Sequence, residues 1–478
     1  MGLRAKVLSG LRWIAVARIS TQLISWASTV VVVRLLQPED YGLIAMAVIF
    51  ISFCQLINEL GLGAAIVQKE ELTENNLRQV FGLVLMLNGT LFILLCAGSP
   101  LMAAFFDEPK LNSVVPVLSI QFIFIAFSVI PNSILTRNMN FRVISVLAII
   151  SSLSSSVTTF VMAWSGFSYW ALVFGNLAGI LINAICLNIV NPFFKRPCLK
   201  FSGFGGIAKF GFFVSMQRIL WYIYSHADVF IIGKMLGKTT LGYYSVAMNL
   251  ASLPLQKVGG IINQVGLPAY SKLQRDRDLA RKYALKVIRA ISFIAFPIFL
   301  GISSTAPVFI NLLIGEKWIS SILPIQLLSL VFPLKSLSLS LGPAVNGLGR
   351  PDINMKNMAI ACGVMPIAFL IGVKWGLKGV SIAWVIGYPL WFFYMLSQSL
   401  PVIALSIRDF LKAMHGPALI GAIMYFVVYI TRVILDQWQL NDVRTLVILI
   451  AAGIVTYSVL MIILYKNICK EVWDLRHA

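Results

Sequence analysis

Along almost its whole length the chain alternates apolar runs of about 20 residues with short polar, mostly basic, connections. A helix of that length crosses a hydrocarbon core about 30 Å thick. In lipid only helices and closed barrels satisfy their own backbone groups. The runs predict fourteen membrane helices, near 13–33, 41–67, 80–105, 114–135, 143–163, 168–190, 207–232, 241–268, 287–313, 322–347, 356–373, 379–404, 414–435 and 445–465. The polar, basic segment from Met1 to Arg12 leads into the first run without a small-residue cleavage pattern, so that run is expected to be a retained span rather than a signal peptide. The fold class expected is therefore an all-α polytopic membrane protein.

An even number of spans puts both termini on one side. Connections on that side carry 25 Lys and Arg, those on the other side 8. The positive-inside rule then places both termini in the cytoplasm. Composition fits: of 478 residues 59% are hydrophobic and 12% charged, against about 25% charged in a soluble domain. The net charge of +20 would suggest nucleic acid in a soluble protein, but no connection is long enough to fold as a basic domain, and no nucleic-acid partner is expected. The longest, Tyr270 to Arg289 with seven cations, is expected to be a cytoplasmic helix lying against anionic membrane lipid. Six cysteines without a CxxC suggest neither a zinc site nor a disulfide framework.

The chain also repeats itself. Val33-Arg34-Leu35-Leu36 through Tyr41-Gly42 aligns with Gly233-Lys234-Met235-Leu236 through Leu241-Gly242. The turn at Phe106-Asp107-Glu108-Pro109 aligns with Ile314-Gly315-Glu316-Lys317, and Trp164-Ser165-Gly166 with Lys374-Trp375-Gly376. Each half has six spans, so the halves enter the membrane in the same orientation, as a parallel repeat about the membrane normal. The expected organisation is an N-terminal six-helix lobe over 1–200, a C-terminal six-helix lobe over 201–405, and two added helices with a tail over 406–478.

Five cations remain inside the spans, Arg18, Arg218, Lys257, Lys335 and Arg432, with two clearly intramembrane acids, Glu59 and Asp228. An ionisable group facing lipid costs several kcal/mol, so these residues are expected to face a wet cavity or a partner. Arg18 and Arg218 occupy matching positions in the first helix of each half. Gln22, Ser25 and Thr29 follow Arg18 on one helix face, and Tyr222 and Ser225 follow Arg218. The competing reading is snorkelling to the cytoplasmic surface, which suits Arg18 at about 8 Å depth better than Arg218 at about 16 Å. Lys257 and Lys335 lie about 24 Å from the start of their spans, in the cytoplasmic half. Pro254 and Gly259-Gly260 beside Lys257 form a broken-helix signal of the kind transporters place at binding sites. Arg432, one turn from Asp436, is read as an interfacial anchor or helical ion pair. Glu59 and Asp228 are either proton-coupling groups, since a low-dielectric site favours a neutral carboxyl, or structural counter-ions. His226 lies two residues from Asp228 on another helix face, which argues against a dyad or metal site. Gly203-Phe204-Gly205-Gly206 lacks the full dinucleotide fingerprint, and no HExxH, Walker lysine or Ser-His-Asp set occurs. No enzymatic activity, cofactor or metal is expected.

Several runs carry a family resemblance: Leu3-Arg4-Ala5-Lys6 with Ser9-Gly10 and Trp13, Arg34-Leu35-Leu36 with Tyr41-Gly42-Leu43, Glu59-Leu60-Gly61 with Ile66-Val67-Gln68-Lys69, Leu267-Pro268-Ala269-Tyr270-Ser271-Lys272-Leu273-Gln274, and Gly315-Glu316-Lys317-Trp318. Over nearly the whole chain they resemble the Wzx-like polysaccharide exporters and lipid-linked oligosaccharide flippases, nearest the colanic-acid type, in the superfamily of MATE exporters and peptidoglycan-precursor flippases. That resemblance implies a bacterial inner-membrane flippase with two lobes in alternating access, moving undecaprenyl-diphosphate-linked repeat units to the periplasmic leaflet for exopolysaccharide or lipopolysaccharide synthesis, beside a polysaccharide polymerase and co-polymerase. Arg18, Arg218, Lys257, Lys335, Gln22 and Tyr222 are then the candidate substrate-binding residues for a lipid-linked anionic oligosaccharide, because guanidinium forks suit phosphate. The alternatives are an ion-coupled MATE-type small-molecule exporter, for which an acidic cavity would be expected, and a non-transporting scaffold of an envelope polysaccharide assembly complex.

Overall fold

The computed structural model describes residues 3–58, 66–67, 73–193, 195–198, 205–438 and 440–465, with the side chains of 3–9, 11, 205–218 and 256–265 outside that description. Within it the chain is helical, with no strand among the described residues. The helices are α1 (Leu3–Leu35), α2 (Pro38–Asn58), α3 (Glu74–Phe106), α4 (Leu111–Ser119), α5 (Gln121–Arg137), α6 (Phe141–Trp164), α7 (Trp170–Val190), α8 (Gly205–Lys272), α9 (Arg277–Leu313), α10 (Ile322–Gly347), α11 (Pro351–Gly372), α12 (Gly376–Ser399), α13 (Ile407–Gln437) and α14 (Asp442–Leu464). Eleven stretches of the described residues are long and apolar enough to cross a membrane, and one of them, Pro351–Ile403, holds both α11 and α12. The chain is a multi-pass membrane protein.

Polar side chains mark the helix starts. Thr73 and Asn76 form a capping box at α3, each accepting the other's backbone N–H. Asp276 accepts from Leu279 at the start of α9, Ser406 from Asp409 at α13, and Asn441 from Val443 at α14. The last turn of α3 closes on Asp107 in the left-handed conformation, φ 54°.

One connection is located and two local expectations are corrected. The stretch 233–240, read as a connection, holds the junction of two helices: the backbone leaves helical geometry at Gly237, whose φ of 77° and ψ of 178° are accessible to glycine and strained for other residues. Gly237 divides α8 into two helical segments, 205–236 and 238–272, each long enough to cross a bilayer. The broken-helix signal at Pro254 and Gly259-Gly260 does not break α8, whose backbone leaves helical geometry only at Gly237. Prolines interrupt one hydrogen bond, and neighbouring groups in membrane helices absorb that loss. Finally, Arg277 to Arg289 is not a separate surface helix. It forms the first turns of α9, because an N-cap at Asp276 and unbroken helical residues carry the basic segment straight into the span.

The chain forms two compact units, Met1–Tyr222 with Gly237–Gly242, and Ile223–Leu236 with Tyr243–Ala478. In the first, Val80, Phe81 and Val84 of α3 bury against Ala126 and Ile130 of α5 and Phe193. There α6 and α7 run in close contact: a Cβ at Gly175 would overlap Thr159 Oγ1, and one at Gly179 would lie 3.0 Å from Ser155 Cβ. In the second, α13 and α14 bury Ile420, Met424, Val428, Leu449, Tyr457 and Met461 against Val308 of α9. Tyr457 donates to the Phe293 carbonyl at 2.9 Å, and Arg281 pairs with Asp409 at 2.9 Å. Large apolar side chains such as Ile93, Leu101, Leu390 and Ile454 are exposed. A membrane helix must present such a face to lipid.

Candidate functional site

Within the first unit, α1 carries its polar stripe as the spacing predicts. Arg18 and Ser25 are exposed, Gln22 and Thr29 half-buried. The hydroxyls of Thr21 and Thr29 donate to the Ala17 and Ser25 carbonyls four residues back, both at 2.8 Å, so their donors are spent inside the helix. Arg18 and Gln22 are left as the reaching groups. Tyr222 is buried, its hydroxyl donating to the Ile49 carbonyl of α2 and its ring centroid 5.7 Å from that of Phe53. In this conformation it ties α8 to α2. Glu59, and the side chains of Arg218 and Lys257, lie outside the described residues.

The positions aligned by the internal repeat meet in the same unit. A Cβ on Gly42 would overlap the Lys238 carbonyl oxygen, and a Cβ on Gly242 would overlap the Pro38 carbonyl oxygen. Each glycine sits four residues after the backbone that its counterpart touches. Around this crossing Thr239 donates to Glu39 at 3.0 Å, exactly one repeat apart in kind and 200 residues apart in chain. Lys238 pairs with Glu108 at 2.6 Å. Asp40 accepts from the Ser168 hydroxyl, from Tyr169 N–H at 3.1 Å and from Gln37 N–H at 2.9 Å.

In the second unit a charged cluster is buried around aromatic rings. Asp228 of α8 is 1% exposed and accepts from the Tyr244 hydroxyl and from Val229 N–H at 2.8 Å. Trp384 of α12 donates from Nε1 to the Tyr244 oxygen at 2.7 Å. Lys335 of α10 holds its ammonium 4.6 Å from the Trp384 ring centroid and 5.5 Å from that of Phe332. Tyr244 and Trp384 thus link Asp228 to the ring that the Lys335 ammonium faces. Ser338 and Tyr388 share a 2.8 Å hydrogen bond beside them, and the rings of Trp384, Tyr388 and Trp391 follow one another along α12. Sequence spacing treats Asp228 and Lys335 as unrelated, yet the structure brings them to one tryptophan. It misses Tyr244 and Trp384 altogether, although a tyrosine and a tryptophan inside spans signal buried polar handles in need of partners.

Elsewhere Arg432 lies 4.0 Å from Asp436 and over the Tyr429 ring at 5.1 Å, which fits the anchor reading. Among the described residues no group of three His, Cys, Asp or Glu side chains is placed to hold a metal ion.

The polysaccharide biosynthesis protein family profile matches residues 31–323, more than half of the chain. The chain belongs to that family. It is 26% identical over 433 residues to the lipopolysaccharide biosynthesis protein WzxC of Escherichia coli, covering 87% of this chain and 86% of that protein. It is 23% identical to the teichuronic acid biosynthesis protein TuaB of Bacillus subtilis, covering 97% and 96%. It is 22% identical to the succinoglycan biosynthesis transport protein ExoT of Rhizobium meliloti, covering 98% and 94%. Among solved structures it superposes on the lipid II flippase MurJ in an inward closed conformation with a TM-score of 0.77 at 18% identity, covering 95% of this chain and 99% of that one. An inward-facing MATE-family multidrug transporter of the MOP superfamily matches with a TM-score of 0.63 at 17% identity, covering 80% and 95%. The fold of this family member is thus the MurJ and MATE fold.

Proposed function

We propose that this protein is a flippase of the bacterial inner membrane that moves undecaprenyl-diphosphate-linked oligosaccharide units from the cytoplasmic to the periplasmic leaflet, with both termini in the cytoplasm. The observation that carries the reading is a chain of the polysaccharide biosynthesis family that takes, over 95% of its length, the fold of a lipid II flippase. The charge of the spans supports it, because a diphosphate needs cations in a low-dielectric site and the intramembrane cations outnumber the acids. Guanidinium forks of Arg18 and Arg218 would grip the diphosphate, with Gln22 supplying a neutral hydrogen bond. Lys257 would guide entry from the cytoplasmic side. Asp228 and Lys335 would set the energy difference between states, since moving their aromatic neighbours changes the environment of both charges. Substrate passage follows alternating access, driven by the substrate gradient or by ion movement, beside a polymerase that consumes the product.

The test is translocation of fluorescent undecaprenyl-diphosphate oligosaccharide in proteoliposomes. The wild type should move it, while Arg18→Ala and Arg218→Ala each lose at least about tenfold in rate with normal insertion, the cost of one charge-assisted phosphate contact. A wild-type protein that moves no such lipid overturns the reading.

A further inference from the structure

The first unit contains an open cavity of about 620 Å³ lined by α5, α6 and α7, within the roughly 300–1,000 Å³ range of small-ligand sites. Arg18, Asp228 and Lys335 lie outside its lining. Ser128 and Asn132 face it from α5, Ser151 and Ser155 from α6, and Asn176 and Asn183 from α7. Among the described residues, none lining it carries a charge. Seven residues separate Asn176 from Asn183 and four separate Ser151 from Ser155, so each pair stands on one helix face. The lining runs from Ile144 to Ser155 on α6, about 16 Å at the helical rise, in the half of α6 that begins beside Arg142. By the charge rule that half is cytoplasmic.

The hydrogen-bond inventory selects the ligand. Ser128 and Ser151 donate their hydroxyl protons to the Phe124 and Leu147 carbonyls at 3.0 and 2.8 Å, which leaves their oxygens as acceptors. Ser151 Oγ also lies 3.4 Å from Asn183 Oδ1. Asn132 and Asn176 are exposed, and an amide exposed inside a span is stable only where it meets water or a polar ligand. A wall of amide donors and hydroxyl acceptors without a cation neither neutralises a diphosphate nor binds an acidic sugar strongly. It matches a polyol whose hydroxyls both donate and accept. We infer that this cavity is a subsite for the uncharged sugar rings of the translocated lipid, separate from the cations that take its diphosphate. The inference rests on the proposed transport of a lipid-linked oligosaccharide.

The experiment uses the full chain in proteoliposomes with two fluorescent probes, undecaprenyl diphosphate carrying a neutral trisaccharide and undecaprenyl diphosphate carrying one sugar. Removing two amides with Asn176→Ala and Asn183→Ala together should slow the trisaccharide probe about tenfold, as expected for one or two lost hydrogen bonds, and leave the single-sugar probe within about twofold. Ala148→Phe, which fills the cavity without removing a polar group, should give the same selective loss. Variants that slow both probes equally, or neither, while the wild type is active overturn the sugar subsite and leave the flippase reading standing. A wild type that moves neither probe overturns both.

Discussion

Lys335 faces the Trp384 ring and Asp228 reaches the same tryptophan through Tyr244, so their energies are linked through what lies between them. Asp228 is held by Tyr244, Tyr244 is held by Trp384, and the Trp384 ring faces the Lys335 ammonium. Removing one member of a buried charge pair leaves the other uncompensated. Lys335→Met should therefore lower the stability of the purified protein by about 2 kcal/mol, less than the full cost of unpairing charges in direct contact. Adding Asp228→Asn should restore part of the loss. Thermal unfolding of the two single variants and the double variant gives a coupling energy, expected to exceed about 0.5 kcal/mol. A value near zero would mean that the two charges act independently. Spacing along the chain could not reveal this relation, because the two positions lie 107 apart in sequence, on different helices.

At the scale of elements, the two aligned glycines and the break in α8 decide how chain segments approach. Gly42 and Gly242 each sit where a methyl group would overlap a backbone oxygen, which cannot swing aside as a side chain can. Gly42→Ala and Gly242→Ala should each cost about 1–3 kcal/mol, the usual range for overpacking, read as a lower unfolding temperature of the reconstituted protein. Gly237→Ala should cost a similar amount for a different reason, strain at φ 77°, with no loss from crowding because open space surrounds that position. The repeat was legible in the residues around these glycines. Their reciprocal contact was not, since a repeat states equivalence of positions and not their proximity.

For the whole molecule, sidedness is the first quantity to measure. Fusions of a cytoplasm-only fluorescent protein and of a periplasm-only phosphatase to the C-terminus should give fluorescence and no phosphatase activity. The opposite result would invert the direction proposed for transport and put the polar cavity of α5 to α7 in the other leaflet. The charge count supports this expectation because 25 cations lie in connections on one side and 8 on the other. A bias that large survives errors of a few residues at any span boundary.

Length, apolar runs and the placement of charges were enough by themselves to determine a polytopic helical membrane protein and the residues whose charge needs an explanation inside lipid. Each is a property of composition along a single helix, where the cost of exposing polar groups to hydrocarbon leaves few options. Tertiary structure alone decided the unbroken helix through Pro254, the link from Asp228 through Tyr244 and Trp384 to Lys335, and the hydroxyl and amide cavity of the first unit. The serines and asparagines of α5, α6 and α7 were visible from the start, but each is a small polar residue that a membrane helix can satisfy on its own backbone. Only the packing of three helices, with α6 and α7 pressed together at Gly175 and Gly179, turned them into the lining of one cavity.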